Sequence, residues 1–340
     1  MRIIKSFFVL TLALSLFSCS SKDPEPDPMD DPQVIEQDPV DIEEPLEDDT
    51  SEETDTETVT GDVLNPDVAP SSNFDLSTWY LSIPENSGSD KSTSIYEEAL
   101  NNGYENSKYF YTGEDGGMVF KCPVRGFTTS ENTSYVRVEL REMLRNGNTD
   151  IANKDLANNW VFSSAPQEDI DAAAAYDGEM TATLAVNKVT TTGERNHIGR
   201  VIIGQIHANT DEPIRLYYRK LLDNELGSIY FGHEENLGDD TYYEMIGRRS
   251  SSADNPEDGI ALDEVFTYKI KVIGNDMWVT ISREGKDDIV QYVDMSPSGY
   301  DVGGQYMYFK AGIYHPNNTG DDDDYAQVTF YKLETSHTTK

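Results

Sequence analysis

The sequence predicts an all-β chain built as an antiparallel β-sandwich or jelly roll, and three observations carry that expectation. After about residue 71 the chain runs as short segments rich in Val, Ile, Thr, Tyr and Phe, separated by Gly, Asn, Asp and Ser. Apolar and polar residues alternate within many of these segments with a period of two, the mark of a half-buried strand. Helix-length amphipathic runs are scarce, and two cysteines are too few for a disulfide framework, so apolar burial must hold the core.

Residues 1–19 read as a secretory signal, because Arg2 and Lys5 precede an apolar run from Phe7 to Phe17 that is too short to span a bilayer. Leu16-Phe17-Ser18-Cys19 resembles a bacterial lipobox, which makes Cys19 the expected lipidation site and an N-terminal lipid anchor the only expected contact with a membrane. An ordinary secretory signal is the alternative, so the expected location is the cell envelope, anchored at the outer membrane and surface-exposed, or the exterior. Residues 20–70 hold eight of the 15 prolines, and the acids from 21 to 70 number 19 against Lys22 alone. Such a segment cannot bury enough apolar surface to offset the entropy of ordering, so it is expected to be a disordered, self-repelling tether.

Strands are expected at 135–144, 179–189, 200–208, 214–220, 228–233, 266–273, 277–283, 306–314 and 326–333, with short helices at 94–100 and 169–176. Neither an internal repeat nor a second break in composition occurs, so residues 71–340 read as one domain, expected to be monomeric. The whole chain carries 63 acids and 26 bases, a net charge of −37; residues 71–340 hold 44 of the acids and 23 of the bases, a net −21. No basic run interrupts that acidity, which excludes nucleic acid as a partner.

Alternation within three segments points to chemistry. Tyr135, Arg137, Glu139 and Arg141 share one face while Val136, Val138 and Leu140 take the other. Gln205 and His207 share a face opposite Ile206, and Tyr306, Tyr308, Lys310 and Tyr314 share one opposite Met307, Phe309, Ala311 and Ile313. A charged strand face is commonly no more than the solvated side of a sheet. Brought into one sheet, however, these faces gather bases and tyrosines on an acidic protein, as binding a long anionic sugar requires.

Arg137-Val138-Glu139-Leu140-Arg141, Gln205-Ile206-His207 and Tyr308-Phe309-Lys310-Ala311-Gly312-Ile313-Tyr314 resemble, in order and spacing, the three signature segments of the alginate lyases of polysaccharide lyase family 7. The resemblance implies a β-jelly roll sandwich of two antiparallel sheets with a concave substrate-binding face. It also implies cleavage of alginate or oligoalginate by β-elimination to 4,5-unsaturated products, with no cofactor or metal. By motif position, His207 is the implied general base, Tyr314 the acid, and Arg137 with Gln205 the groups that neutralise the substrate carboxylate. Arg141, Lys310 and Tyr308 are implied contacts to neighbouring uronates, with Glu139 orienting the arginines. Chemistry agrees: the carbanion formed at C5 of a uronate needs donors on its carboxylate, and an imidazole suits proton abstraction near neutral pH.

The segments around Arg215, Tyr217, Arg219 and His233 look similar to lipoprotein members that act from chain ends, and Arg215, Tyr217 and Arg219 share a face that would extend the cleft. For His233 a structural histidine is the alternative. The sequence departs from the family where Tyr314 is followed by His315-Pro316-Asn317-Asn318 rather than Tyr-Asn-Gln, and where Val138 replaces a frequent Ser or Thr. Ile206 is associated in the family with acceptance of guluronate. Two other functions stay open: a lyase for another polyuronate such as glucuronan, and a noncatalytic carbohydrate-binding module. Endolytic or exolytic action and the preferred uronate are not decided. Cys122 reads as a buried free thiol, His197 and His315 as loop residues, and Asp321 to Asp324 as a solvated loop or a calcium site without EF-hand spacing.

Overall fold

The computed structural model describes residues 63–340; the expected signal, Cys19 and the tether up to residue 62 lie outside the described residues. The strands, in chain order, begin with β1 (Trp79–Asn86), β2 (Ser92–Ile95), β3 (Phe110–Thr112), β4 (Met118–Pro123), β5 (Arg137–Glu142), β6 (Trp160–Val161), β7 (Ala175–Lys188) and β8 (Arg200–His207). They continue with β9 (Ile214–Arg219), β10 (Ser228–Glu234), β11 (Asp240–Ile246), β12 (Val265–Ile273), β13 (Asp276–Ser282), β14 (Ile289–Asp294), β15 (Tyr308–Tyr314) and β16 (Tyr325–Thr338). Three short helices, α1 (Pro70–Asn73), α2 (Glu97–Asn101) and α3 (Gln167–Ala172), sit in the connections.

The strands form two sheets, one ordered β11-β10-β9-β8-β15-β5-β1-β2 and the other β14-β13-β12-β7-β16-β4-β3, with β6 beside β7. All pairings are antiparallel except that of β6 with β7. The second sheet shows plain alternation: in β12, Phe266, Tyr268, Ile270 and Val272 are buried while Thr267, Lys269 and Lys271 face outward. The first sheet is different. Strands β5, β9 and β10 are buried along their whole length, so both of its faces are covered.

Between the sheets lies one large apolar cluster that includes Val138, Leu140, Ile203, Ile206, Phe309 and Ile313 from the first sheet and Phe120, Tyr268 and Phe330 from the second. Fully burying an aliphatic or Phe side chain contributes roughly 1.5–3 kcal/mol, so this layer is the main source of stability. One charged pair crosses it. Glu142 receives the backbone N–H of Phe309 at 3.2 Å and faces His337 Nε2 at 2.9 Å, while His337 Nδ1 donates to the carbonyl of Asp177 at 2.7 Å. Burial raises the Glu142 carboxyl, but the His337 partner outweighs this and holds it below its ordinary value; His337 is raised, because Glu142 overcomes the opposing effect of burial.

All nine expected strands are present, as β5, β7, β8, β9, β10, β12, β13, β15 and β16, with shifted ends. The expected helix at 94–100 is corrected: Ser92–Ile95 pairs with β1, and the helix covers only Glu97–Asn101. The expected helix at 169–176 ends at Ala172, because Ala175 and Tyr176 begin β7 beside Trp160 and Val161. The domain also reaches upstream of residue 71. Leu64 packs on the core, and Asn73 Nδ2 ties Asn65 to Gly116 through their carbonyls at 2.8 and 3.0 Å.

Candidate active site

Three neighbouring strands carry the site. Antiparallel register puts Lys310 of β15 between Gln205 of β8 and Arg141 of β5, His207 opposite Tyr308, and Tyr314 between Ile202 and Arg137. A bulge in β8 between Ile202 and Gly204 changes the parity, so Ile203 enters the core while Ile202, Gln205 and His207 all meet the groove side. A second bulge separates Ala311 from Tyr314. There Gly312 has φ +124°, and a side chain would meet the Val138 carbonyl at 2.7 Å and the Phe120 ring at 2.9 Å, so glycine is required.

Glu139 is the hub of this face at 2% exposure. Its Oε2 takes Arg137 at 3.0 Å and Lys310 Nζ at 2.5 Å, and its Oε1 accepts a short hydrogen bond from the Gln205 amide. Burial pushes this carboxyl up, but Lys310, Arg137 and the hydrogen bonds hold it below its usual value. Lys310 moves the other way: burial and the neighbouring Arg137 lower it to about 8 against the pull of Glu139. Arg137 also lies over the Tyr314 ring at 4.1 Å, with Lys310 Nζ 6.0 Å from the same ring.

His207 stacks on Tyr308 with centroids 5.1 Å apart. Its Nδ1 donates to the Ala208 carbonyl at 2.6 Å, and its Nε2 stands 3.2 Å from Glu212 Oε1. Burial, with Lys310 close by, depresses the imidazole to about 3, so it is neutral at ordinary pH. Arg141 lies 3.9 Å over Tyr308 and is steered by Asn159 Oδ1 and the Asn153 carbonyl, both at 2.7 Å. Arg137, Glu139, Arg141, His207, Tyr308 and Lys310, with Tyr80 and Ser82 of β1 and Thr129, enclose a cavity of about 130 Å³, the scale of a sugar ring. It opens past Tyr80, Ser82 and Thr129 into a wider cleft of about 700 Å³ along β2, where Lys91, Tyr96 and Asn153 lie.

The opposite half of the face, where the cleft was expected to extend, is closely packed. Arg215, Tyr217 and Arg219 do share the face of Gln205, yet each is only 1–2% exposed. Arg215 is neutralised by Glu212 at 2.9 Å, Glu234 at 3.0 Å and Asp240. Tyr217 stacks on Tyr230 at 4.7 Å, and Arg219 donates to the carbonyls of Arg249 and Arg195. Arg195 in turn donates to the Ser251 carbonyl at 2.9 Å, so two loops join as a roof over this end.

Tyr230 and Gly232 pair with Tyr217 and Arg215, so by the strand period His233 turns to the opposite face. Both its nitrogens are spent there, on the Pro213 carbonyl at 2.7 Å and Ser298 Oγ at 2.6 Å. His197 and His315, expected as loop residues, are buried, and His315 Nδ1 donates to the Pro123 carbonyl. Asn317, after Tyr314, ties Thr190 and Thr192 rather than facing the groove. Cys122 is a buried free thiol. In the acidic loop, Asp322 pairs with Arg125 and Asp324 takes Lys188 and the backbone N–H groups of Thr191 and Thr192. Among the described residues no group of three or more His, Cys, Asp or Glu side chains is arranged to hold a metal ion.

Fold and groove together define a two-sheet β-sandwich of the jelly-roll class whose groove face carries an imidazole, a phenol and a row of cations. The family model described as alginate lyase matches residues 74–337. The alginate lyase of Klebsiella pneumoniae is 53% identical over 280 residues, covering 79% of this chain and 91% of that protein. The crystal structure of the Klebsiella pneumoniae enzyme superposes with a TM-score of 0.78 at 52% identity, covering 79% of this chain and 98% of that one. The alginate lyase of Pseudomonas aeruginosa gives a TM-score of 0.58 at 28% identity, covering 77% and 99%. A variant of alginate lyase A1-II′, with a His-to-Asn and a Tyr-to-Phe exchange and in complex with substrate (GGMG), gives 0.59 at 25% identity, covering 81% and 99%. The chain belongs to the alginate lyases of polysaccharide lyase family 7.

Lys310 carries its charge below pH about 8 and loses it as pH rises through that value. The KM for a uronate oligomer is therefore expected to rise above pH about 8 in the wild type. In Lys310→Met, KM measured across the same range should be high throughout and should not bend there.

Proposed function

We propose that the groove binds a uronate in the cavity beside His207 and eliminates across its C4–C5 bond. In this reading Arg137 and the second N–H of the Gln205 amide neutralise the carboxylate on C5, which lowers the cost of the charge that builds as the C5 proton leaves. His207, held neutral, takes that proton. A substrate carboxylate opposes the effect of Lys310 and Arg137 on the imidazole and so strengthens the base where it is needed. The C5 electron pair forms the C4–C5 double bond, the C4–O4 bond breaks, and the Tyr314 hydroxyl supplies the proton for O4. Arg141, Tyr308 and Lys310 hold the neighbouring uronates. The observation that carries this reading is the convergence of Arg137, Gln205 and Lys310 on Glu139, in one row with His207 and Tyr314. The A1-II′ complex with substrate (GGMG), in which a His and a Tyr are exchanged, supports giving these two residue types the reacting roles.

We further propose exolytic action. The filled half of the face, with Arg215 neutralised and the Arg195–Ser251 bridge above it, supports a groove that accepts a chain from the β2 side only. We also propose that Cys19 is lipidated and that the acidic tether holds the domain off an outer membrane, a reading supported by the lipobox-like Leu16-Phe17-Ser18-Cys19.

His207→Ala and Tyr314→Phe should each lower kcat by about 10²- to 10⁴-fold, followed as ultraviolet absorbance of the unsaturated product, with thermal unfolding little changed. Near-normal turnover in either would remove that residue from the reaction. Exolytic action predicts monomer or dimer from the earliest times in a chromatographic time course, and a broad ladder of oligomers would refute it. Cys19→Ser should move the protein from the membrane fraction to the soluble one, and an unchanged distribution would exclude the anchor.

A further inference from the structure

Glu212 lies in the loop before β9, where strand alternation says nothing about direction, yet it is the group nearest the imidazole. The Ala208 carbonyl can only accept, so the hydrogen bond at 2.6 Å puts the His207 proton on Nδ1 and leaves the lone pair on Nε2. That nitrogen stands 3.2 Å from Glu212 Oε1. Glu212 Oε2 is meanwhile fixed by Arg215 Nη1 at 2.9 Å, the same nitrogen that meets Glu234 Oε2 at 3.0 Å. With Asp240 on Arg215 Nη2, three carboxylates surround one buried guanidinium. Such a cluster retains a proton, since like charges out of water cannot all ionise.

We propose that Glu212 is a positioning residue for the elimination: as a carboxylate 3.2 Å from Nε2, it balances the imidazolium formed when Nε2 takes the C5 proton. Glu234 keeps the proton that the cluster retains. The proposal rests on the reading of His207 as base. In the step, the C5–H bond breaks and its proton passes to Nε2. The electron pair moves into the C4–C5 double bond, and O4 leaves with the proton of Tyr314. The imidazolium then lies beside the Glu212 carboxylate, an attraction that exists only once the charge has formed. Burial lifts Glu234 to about 8 against Arg215, with Glu212 and Asp240 adding to the rise. Burial raises Glu212 as well, opposed by Arg215, Lys310 and Arg137. The charged and titratable groups around Glu212 are thus His207 of β8, Arg215 of β9, Glu234 of β10, Asp240 of β11, Lys310 and Tyr308 of β15, Arg137 of β5 and Tyr300.

The test is Glu212→Gln in the full chain, with kcat and KM for oligoguluronate measured across pH. The expected result is a fall in kcat of roughly a hundredfold, the lower end of what positioned proton transfer contributes, with KM little changed. The acid limb of the kcat profile should move to lower pH, because the imidazole loses the carboxylate that favours its charged form, and Glu212→Asp should restore part of the rate and the limb. An unchanged kcat and profile, with only a lower Tm, would reduce Glu212 to a structural partner of Arg215. If Glu212→Gln does not fold, ring-nitrogen NMR of the wild type decides: Nδ1–H in the free enzyme supports the proposal, and Nε2–H overturns it. Failure of the underlying reading looks different. A wild type that forms no unsaturated product, or a fully active His207→Ala, overturns the base assignment and this proposal together. An inactive His207→Ala beside a normal Glu212→Gln overturns only the role of Glu212.

Discussion

The groove depends on one buried carboxylate. Glu139 receives Arg137, Lys310 and Gln205, three donors from three adjacent strands, and among the described residues no other acid pairs with all of them. Burial, and after it the neighbouring Arg137, disfavour the charge on Lys310. The carboxylate between them makes the arrangement tolerable. It also fixes the rotamers of these three side chains. An acidic domain thereby keeps a positive patch where it is used and nowhere else nearby.

The two halves of the same sheet face differ in how charge is satisfied. Around Glu139 bases outnumber the acid, so the site has spare attraction for an anion. Around Arg215 the ratio is reversed, with three acids on one base. His207 stands on the border, next to Tyr308 on one side and Glu212 on the other. The balance of charge along the face thus changes sign at His207.

Much of this was legible in the sequence because a strand exposes its orientation through alternation. Arg137, Glu139, Arg141, Gln205, His207, Lys310 and Tyr314 fall on the groove face as their spacing implies. Strand β1 was missed, since Pro84 interrupts its run, and β11 and β14 were missed because they lie half-buried at sheet edges with mixed composition. The face of Arg215, Tyr217 and Arg219 was legible; their burial was not, because it is imposed by loops far away in sequence. For His233 the sequence left a cleft residue and a structural histidine open, and the parity of β10, with both ring nitrogens bonded, favours the structural one. Glu212 could not be found at all, since a loop residue has no period to point it.

The clasp between Glu142 and His337 has a practical bearing on how this domain accepts added sequence. The last long strand ends with an imidazole plugged between the sheets, so a fusion partner grafted close behind it would pull on a buried ion pair. At the other end of the described residues Val63 is 95% exposed. Tags, reporters and immobilisation handles therefore belong upstream, on the side where the natural chain already carries its long acidic leader.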